Sequence, residues 1–200
     1  MTISEFEKQL AKMYPSSVVK KVHIDKTNED YILRYRRDGA YATLSLYDVG
    51  IISPISEINY EIYNDNCYIA QFMTDYDYQG KGLGKYLYQL AQAHIDSHKV
   101  TYSHGIIQPI ADIKGVSDGR GKNVASEKKF LMLMYHALGN TIIENPKQDK
   151  NTNPVLNLVT FEDRWQPHTK IEKLNNAQLK FLDSMMKYDK ESKFTIELES

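Results

Sequence analysis

The sequence predicts an α+β fold, a central, mostly antiparallel twisted sheet flanked by helices. Three observations carry that expectation. Short runs of alternating apolar and polar residues, rich in β-branched and aromatic types, recur through residues 18–74 with tight turn signals between them. Directly after a glycine-rich turn at 79–84, the apolar period changes from that of a strand to that of a helix. Beyond it, helix-like and strand-like segments alternate. The chain has 200 residues. A chain of that size buries roughly 70% of its unfolded surface, so it needs neither a disulfide nor a metal to be stable.

Each element has a local reason. Phe6, Leu10 and Met13 stand at helical spacing within 4–13, and Pro15 ends that helix. Residues 18–24 form a β-branched strand. Segments 31–36 and 40–47 flank Asp38-Gly39, a hairpin signal. Residues 58–63 alternate, and Asn64-Asp65-Asn66 turns the chain into 67–74, completing an antiparallel meander. Leu83, Tyr86, Leu87, Leu90, Ala93 and His94 mark a helix of about four turns. A strand follows at 100–107. A second helix at 126–138 carries Phe130, Leu133, Met134 and Leu138 on one face and closes at Gly139-Asn140. Short strands at 141–144 and 156–161 flank a polar loop. After Pro167 come a helix at 176–188 and an alternating strand with Phe194, Ile196 and Leu198. The stretch 108–125 has little periodicity, and loops of that length are usually functional or disordered. On this reading 1–166 form one domain, and 167–200 are a helix–strand extension packed on the same domain or on a partner subunit.

Composition narrows the function classes. Lys plus Arg number 25 against 26 for Asp plus Glu, a formal net charge of −1. That balance argues against a dedicated nucleic-acid binder, which carries a basic excess. Cys67 is the only cysteine, so no intrachain disulfide forms, which fits a reducing, cytoplasmic compartment. The apolar run 130–134 is far too short to cross a bilayer. Glu5 and Glu7 stand where a leader peptide would place apolar residues.

The segment with most chemical content is Gln79-Gly80-Lys81-Gly82-Leu83-Gly84-Lys85, where a strand ends and a helix opens. Glycine lets the backbone turn and lets an anion approach without a Cβ in the way. The first amides of a helix lack intrahelical partners and lie at the positive end of its dipole. Lys81 and Lys85 add full charges. The turn therefore reads as a phosphate or pyrophosphate cradle. It is not the dinucleotide fingerprint G-x-G-x-x-G, and antiparallel strands precede it rather than a βαβ unit. Gly115-Val-Ser-Asp-Gly-Arg-Gly-Lys-Asn123 misses the nucleotide P-loop by one residue and by its final Asn.

Gln79-Gly80-Lys81-Gly82-Leu83-Gly84 resembles the Q/R-x-x-G-x-G/A signature of the GNAT family of acyl-CoA-dependent N-acetyltransferases. Tyr135-His136-Ala137-Leu138-Gly139 is similar to that family's Y-x-x-L-G helix ending. The element order is also similar, over roughly 30–162. The resemblance implies a GNAT-like fold and an N-acetyltransferase that moves an acetyl group from acetyl-CoA to a primary amine of a small molecule or protein. Attack is direct, in a ternary complex, with acetyl-CoA as co-substrate and no metal. It implies that Gln79, Gly80, Lys81, Gly82, Leu83, Gly84 and Lys85 hold the pyrophosphate, and that backbone at Phe72 and Thr74 pairs with the pantetheine arm. Tyr135 becomes the general acid. Glu61, sharing a strand face with Glu57, becomes the general base. A homodimer is a further expectation. The sequence departs from the family at Lys128, where Asn is frequent, and at Ala70 and Gln71, where a catalytic glutamate often stands.

Two other readings stay open. A non-catalytic acyl-CoA-binding interaction module would keep the cradle without a base. An acyltransferase acting on aminoacyl-tRNA would use Lys114, Arg120, Lys122, Lys128 and Lys129. His94 and His98 stand at i, i+4, with His104 not far along, but no carboxylate completes an H-E-x-x-H pattern, which favours an exposed histidine pair over a metal site. Cys67 reads as a buried structural thiol, Asp75 and Asp77 as turn residues, and Trp165 as core.

Overall fold

A computed structural model describes residues 1–100, 102–107, 141–144, 159–163 and 174–192. The chain divides into two units, residues 1–100 with 166–200, and residues 101–165.

The first unit opens with helix α1 (Ile3–Met13), sealed by a capping box between Thr2 and Glu5. Five strands follow: β1 (Val18–Ile24), β2 (Glu29–Asp38), β3 (Tyr41–Tyr47), β4 (Ser56–Ile62) and β5 (Asn66–Thr74). Each pairs antiparallel with the next, which is the expected meander. The β2–β3 hairpin pairs Asp38 with Tyr41 around Gly39, whose φ of +57° suits a tight turn. A single 3-10 turn (Tyr76–Tyr78) leads to α2 (Leu83–Ser97). Helix α3 (Asn176–Glu191) returns to this unit and is sealed by a second capping box, Asn175 with Gln178. In the second unit β8 (Val159–Asp163) pairs antiparallel with both β6 (Tyr102–Ile107) and β7 (Thr141–Glu144).

Strand alternation sorts the sheet of the first unit into two faces. On one, Leu33, Tyr35 and Arg37 of β2 stand opposite Leu46, Leu44 and Ala42 of β3, which stand opposite Ser56, Ile58 and Tyr60 of β4. Helices α2 and α3 cover this face through Leu83, Leu87, Leu90, His94, Phe181 and Met185, all buried. On the other, Phe6 and Leu10 of α1 form a core with Ile32 and Tyr47. The Arg34 guanidinium lies 4.1 Å from the centre of the Tyr14 ring on that side. The outer strand β1 has its Lys21 amide bonded to the Glu7 carboxylate at 2.9 Å. Lys20 Nζ donates to Ser184 Oγ at 2.6 Å, and the Tyr188 hydroxyl donates to the Ser16 carbonyl at 2.8 Å, so α3 is fastened along the same strand.

Boundaries expected at 18–24 and 141–144 coincide with β1 and β7. Helix α2 runs on to Ser97, and α3 to Glu191. The expected helix at 126–138, the stretch 108–125, Trp165 and the strand with Phe194 lie outside the described residues. Among the described residues no helix is long and apolar enough to cross a membrane.

Candidate functional site

The glycine turn opens α2 without a capping side chain. Gly80 and Gly82 both adopt positive φ, +77° and +83°, a region open to glycine and costly for other residues. Gly82 is the N-cap of α2, so no side chain caps the first-turn amides, and that turn carries no acidic residue. The other two described helices of this unit are closed by capping boxes. Gly84 is required for contact: a Cβ there would come within 2.9 Å of Thr74 Oγ1 and 3.2 Å of Phe72 Cζ. Thus α2 packs directly on the end of β5, and the Phe72 ring lies 5.5 Å from that of Tyr88.

The approach to the turn is held by short hydrogen bonds. The Asp75 amide donates to the Ile55 carbonyl, and its carboxylate accepts the Asp77 amide, as turn residues do. Gln79 Nε2 donates to the Thr74 carbonyl at 3.0 Å. The Tyr78 hydroxyl donates to Asp48 at 2.6 Å, and that bond to a carboxylate pushes its pKa up to about 12. Lys81 Nζ sits 4.6 Å from the Tyr78 ring centre. The β1–β2 turn adds a cation that sequence reasoning missed. Lys26 lies across the glycine turn, its Cδ 2.5 Å and its Nζ 3.0 Å from where a Gly82 Cβ would be. No periodicity marks Lys26; only the fold brings it there.

Glu57, Asn59 and Glu61 of β4 share the sheet face opposite α2. The face is a connected polar row. Ser45 Oγ donates to Glu57 at 2.7 Å, Asn59 Nδ2 donates to Glu57 and to Gln71 at 3.1 Å each, and Thr43 Oγ1 donates to Asn59 at 2.7 Å. Glu61 accepts from the Tyr63 hydroxyl. The β4–β5 register shifts between Asn59 and Tyr60: Asn59 pairs with Gln71 and Tyr60 with Ile69, so Ala70 is a bulge. Ala70 and Gln71, the two departures from the family's strand, are therefore at the one irregular point of this ladder. Cys67 is fully buried, as expected, and burial raises its thiol pKa. Tyr135 lies outside the described residues.

The histidine pair is not exposed, which corrects the sequence reading. His94 is fully buried, and His98 is half-buried beside it. Asp189 of α3 supplies the missing carboxylate. Its Oδ2 lies 2.9 Å from His94 Nε2, 3.3 Å from His98 Nε2 and 2.7 Å from Arg37 Nη1. Its Oδ1 accepts the Tyr35 hydroxyl at 2.8 Å, and His94 Nδ1 meets the Tyr60 hydroxyl at 2.8 Å. Burial disfavours the imidazolium and, against the pull of Asp189, brings the His94 pKa down to about 4. Burial alone would raise the Asp189 pKa; hydrogen bonds from His94 and His98 outweigh it and hold the carboxyl well below the usual range. The cluster lies on the α2–α3 face of the sheet, whereas Glu57 and Glu61 lie on the opposite face.

Neither a protein-family model nor a curated protein matches the sequence. The fold does have relatives among solved structures. A cAMP-binding acyltransferase from Mycobacterium smegmatis superposes with a TM-score of 0.55 at 11% identity, over 94% of this chain and 58% of that one. A point mutant of it gives 0.57 at 12% identity, over 94% and 60%. The chain thus spans about three fifths of the length of that acyltransferase. PaiA N-acetyltransferase from Thermoplasma acidophilum, in complex with coenzyme A, gives 0.44 at 12% identity over 63% of this chain and 62% of that one. The chain thus shares the fold of the Mycobacterium smegmatis acyltransferase over most of its own length.

Proposed function

We propose that this chain is an acyl-CoA N-acyltransferase that uses acetyl-CoA to acetylate a primary amine of a small molecule or protein. The observation that carries the reading is the opening of α2. Its first-turn amides are presented by two left-handed glycines, with Lys26, Lys81 and Lys85 about them and no acidic residue in the turn. A pyrophosphate suits that environment. The acyltransferase fold of the solved relatives supports it.

In this reading Gln79, Gly80, Lys81, Gly82, Leu83, Gly84 and Lys85 hold the pyrophosphate, and backbone of Phe72 and Thr74 guides the pantetheine arm toward the Ala70 bulge. The neutral amine attacks the thioester carbonyl carbon. A C–N bond forms, the C–S bond breaks, and the coenzyme leaves as a thiolate. Glu61, with Glu57 on the same face, takes the proton that the amine sheds, directly or through water. Tyr135 is the candidate donor to the leaving sulfur.

Thermal melts with acetyl-CoA test the cofactor half. Ligand at 100 times its dissociation constant adds about 2.7 kcal/mol, a Tm rise on the order of 5–11 °C for a chain of this length. Gly82→Ala, which forces Cβ into a left-handed residue and displaces Lys26, costs about 1–2 kcal/mol in strain and should abolish that rise. A folded wild-type sample, free of bound coenzyme, that shows no rise at millimolar acetyl-CoA refutes the proposal. Thiol release with a panel of amines separates the enzyme from the second reading, a non-catalytic acyl-CoA-binding module. The lack of a carboxylate at Ala70 and Gln71 keeps that reading in play.

A further inference from the structure

We propose that His94, His98 and Asp189 form a binding site for a borderline divalent transition-metal ion, zinc foremost, that clasps α3 to α2. The ligand atoms are His94 Nε2, His98 Nε2 and Asp189 Oδ2, mutually separated by 2.9, 3.3 and 3.4 Å. Zinc with bonds of about 2.0–2.1 Å in tetrahedral geometry sets its ligand atoms about 3.3–3.4 Å apart. The triangle needs to open by only a few tenths of an ångström on its shortest edge. His94 lies in the last turn of α2 and His98 is the C-cap residue that follows it, while the carboxylate comes from α3.

The surroundings are those of metal ligands. His94 presents Nε2 to the centre while Nδ1 is engaged by the Tyr60 hydroxyl, which fixes the ring. Asp189 presents Oδ2 to the centre while Oδ1 accepts from Tyr35. Two imidazoles and a carboxylate favour zinc and its neighbours over magnesium or calcium, which prefer all-oxygen shells. The His98 side chain is 27% exposed and gives an ion a way in. The position already draws a cation: Arg37 Nη1 stands 2.7 Å from Asp189 Oδ2 and 3.1 Å from His98 Nε2. Metal entry therefore exchanges with that guanidinium contact, and Arg37 sets how tightly the ion is held.

The test uses the full chain after chelator treatment, titrated with zinc alone against a chromophoric chelator and with cobalt as a spectroscopic probe. The expected result is one ion per chain, the intense visible bands of four-coordinate cobalt with water as the fourth ligand, and a raised Tm with zinc. His98→Ala, at the partly exposed corner, should weaken zinc binding at least about tenfold with the circular dichroism unchanged. His98→Cys, which restores a zinc ligand, should recover it. His23→Ala, which removes a surface histidine paired with Asp30, should leave it as it is. A wild-type chain that takes up no zinc overturns the proposal. So does a His98→Ala chain that binds as tightly as wild type. None of these readouts depends on acetyl transfer, so the site and the enzymatic reading fail separately.

Discussion

Replacing Asp189 with Asn, in chelator-treated protein, probes how much the buried cluster contributes to the fold. The carboxylate accepts from Arg37 Nη1 and the Tyr35 hydroxyl and lies within hydrogen-bond distance of His94 Nε2 and His98 Nε2. The amide keeps the shape and loses the charge. The Arg37 side chain is 1% exposed, so its guanidinium would be left without a counter-charge and away from water. Breaking a buried pair by removing one partner costs about 3–5 kcal/mol, because the surviving charge stays desolvated. For a chain of this length that lowers Tm by roughly 6–20 °C. Urea melts read by circular dichroism measure it. Arg37→Met combined with Asp189→Asn removes both charges and should cost clearly less than the two single changes added together, a coupling of about 0.5–3 kcal/mol. An Asp189→Asn chain within about 1 kcal/mol of wild type, or strictly additive changes, would refute the idea that this carboxylate compensates the arginine.

Two further outcomes follow from the same structure. In chelated protein the His94 pKa is about 4 against an ordinary 6.5, so the unfolded chain binds the proton first and stability falls as pH drops through that window. The slope is about 1.4 kcal/mol per pH unit, roughly 3 kcal/mol in all. Asp189, with its pKa depressed, adds its own loss only below the unfolded carboxyl value of 3.8. Urea melts at stepped pH check this, and a flat profile between pH 6.5 and 4 would sink it. Asn175→Ala opens the α3 capping box and should cost about 1 kcal/mol, seen as a small, pH-independent drop in Tm.

The meander was legible because strand alternation and turn residues are local. Val18–Ile24 is bounded by Pro15 and a polar turn, and Asp38-Gly39 can do little but reverse the chain. The glycine turn was legible for the same reason: backbone freedom is written in residue type. What escaped was contact across distance. Lys26 reaches Gly82 from another hairpin, and Asp189 reaches His94 from a helix 95 residues away. The buried state of His94 did have a signal. It continues the apolar stripe of Leu83, Leu87 and Leu90, and a histidine on such a stripe faces the core. The candidate base was only half legible. Spacing put Glu57 and Glu61 on one face, but the Ala70 bulge beside them has no signature in the sequence.

The chain leaves the first unit at residue 100 and returns to it only at 166. Between the emergence of His94 and that of Asp189 a ribosome adds 95 residues, which takes roughly 5–19 s at 5–20 residues per second. Throughout that interval the sheet and α2 exist without the carboxylate that Arg37 and His94 are built around. Until α3 has been made, the part of the sheet and of α2 that it buries stays uncovered.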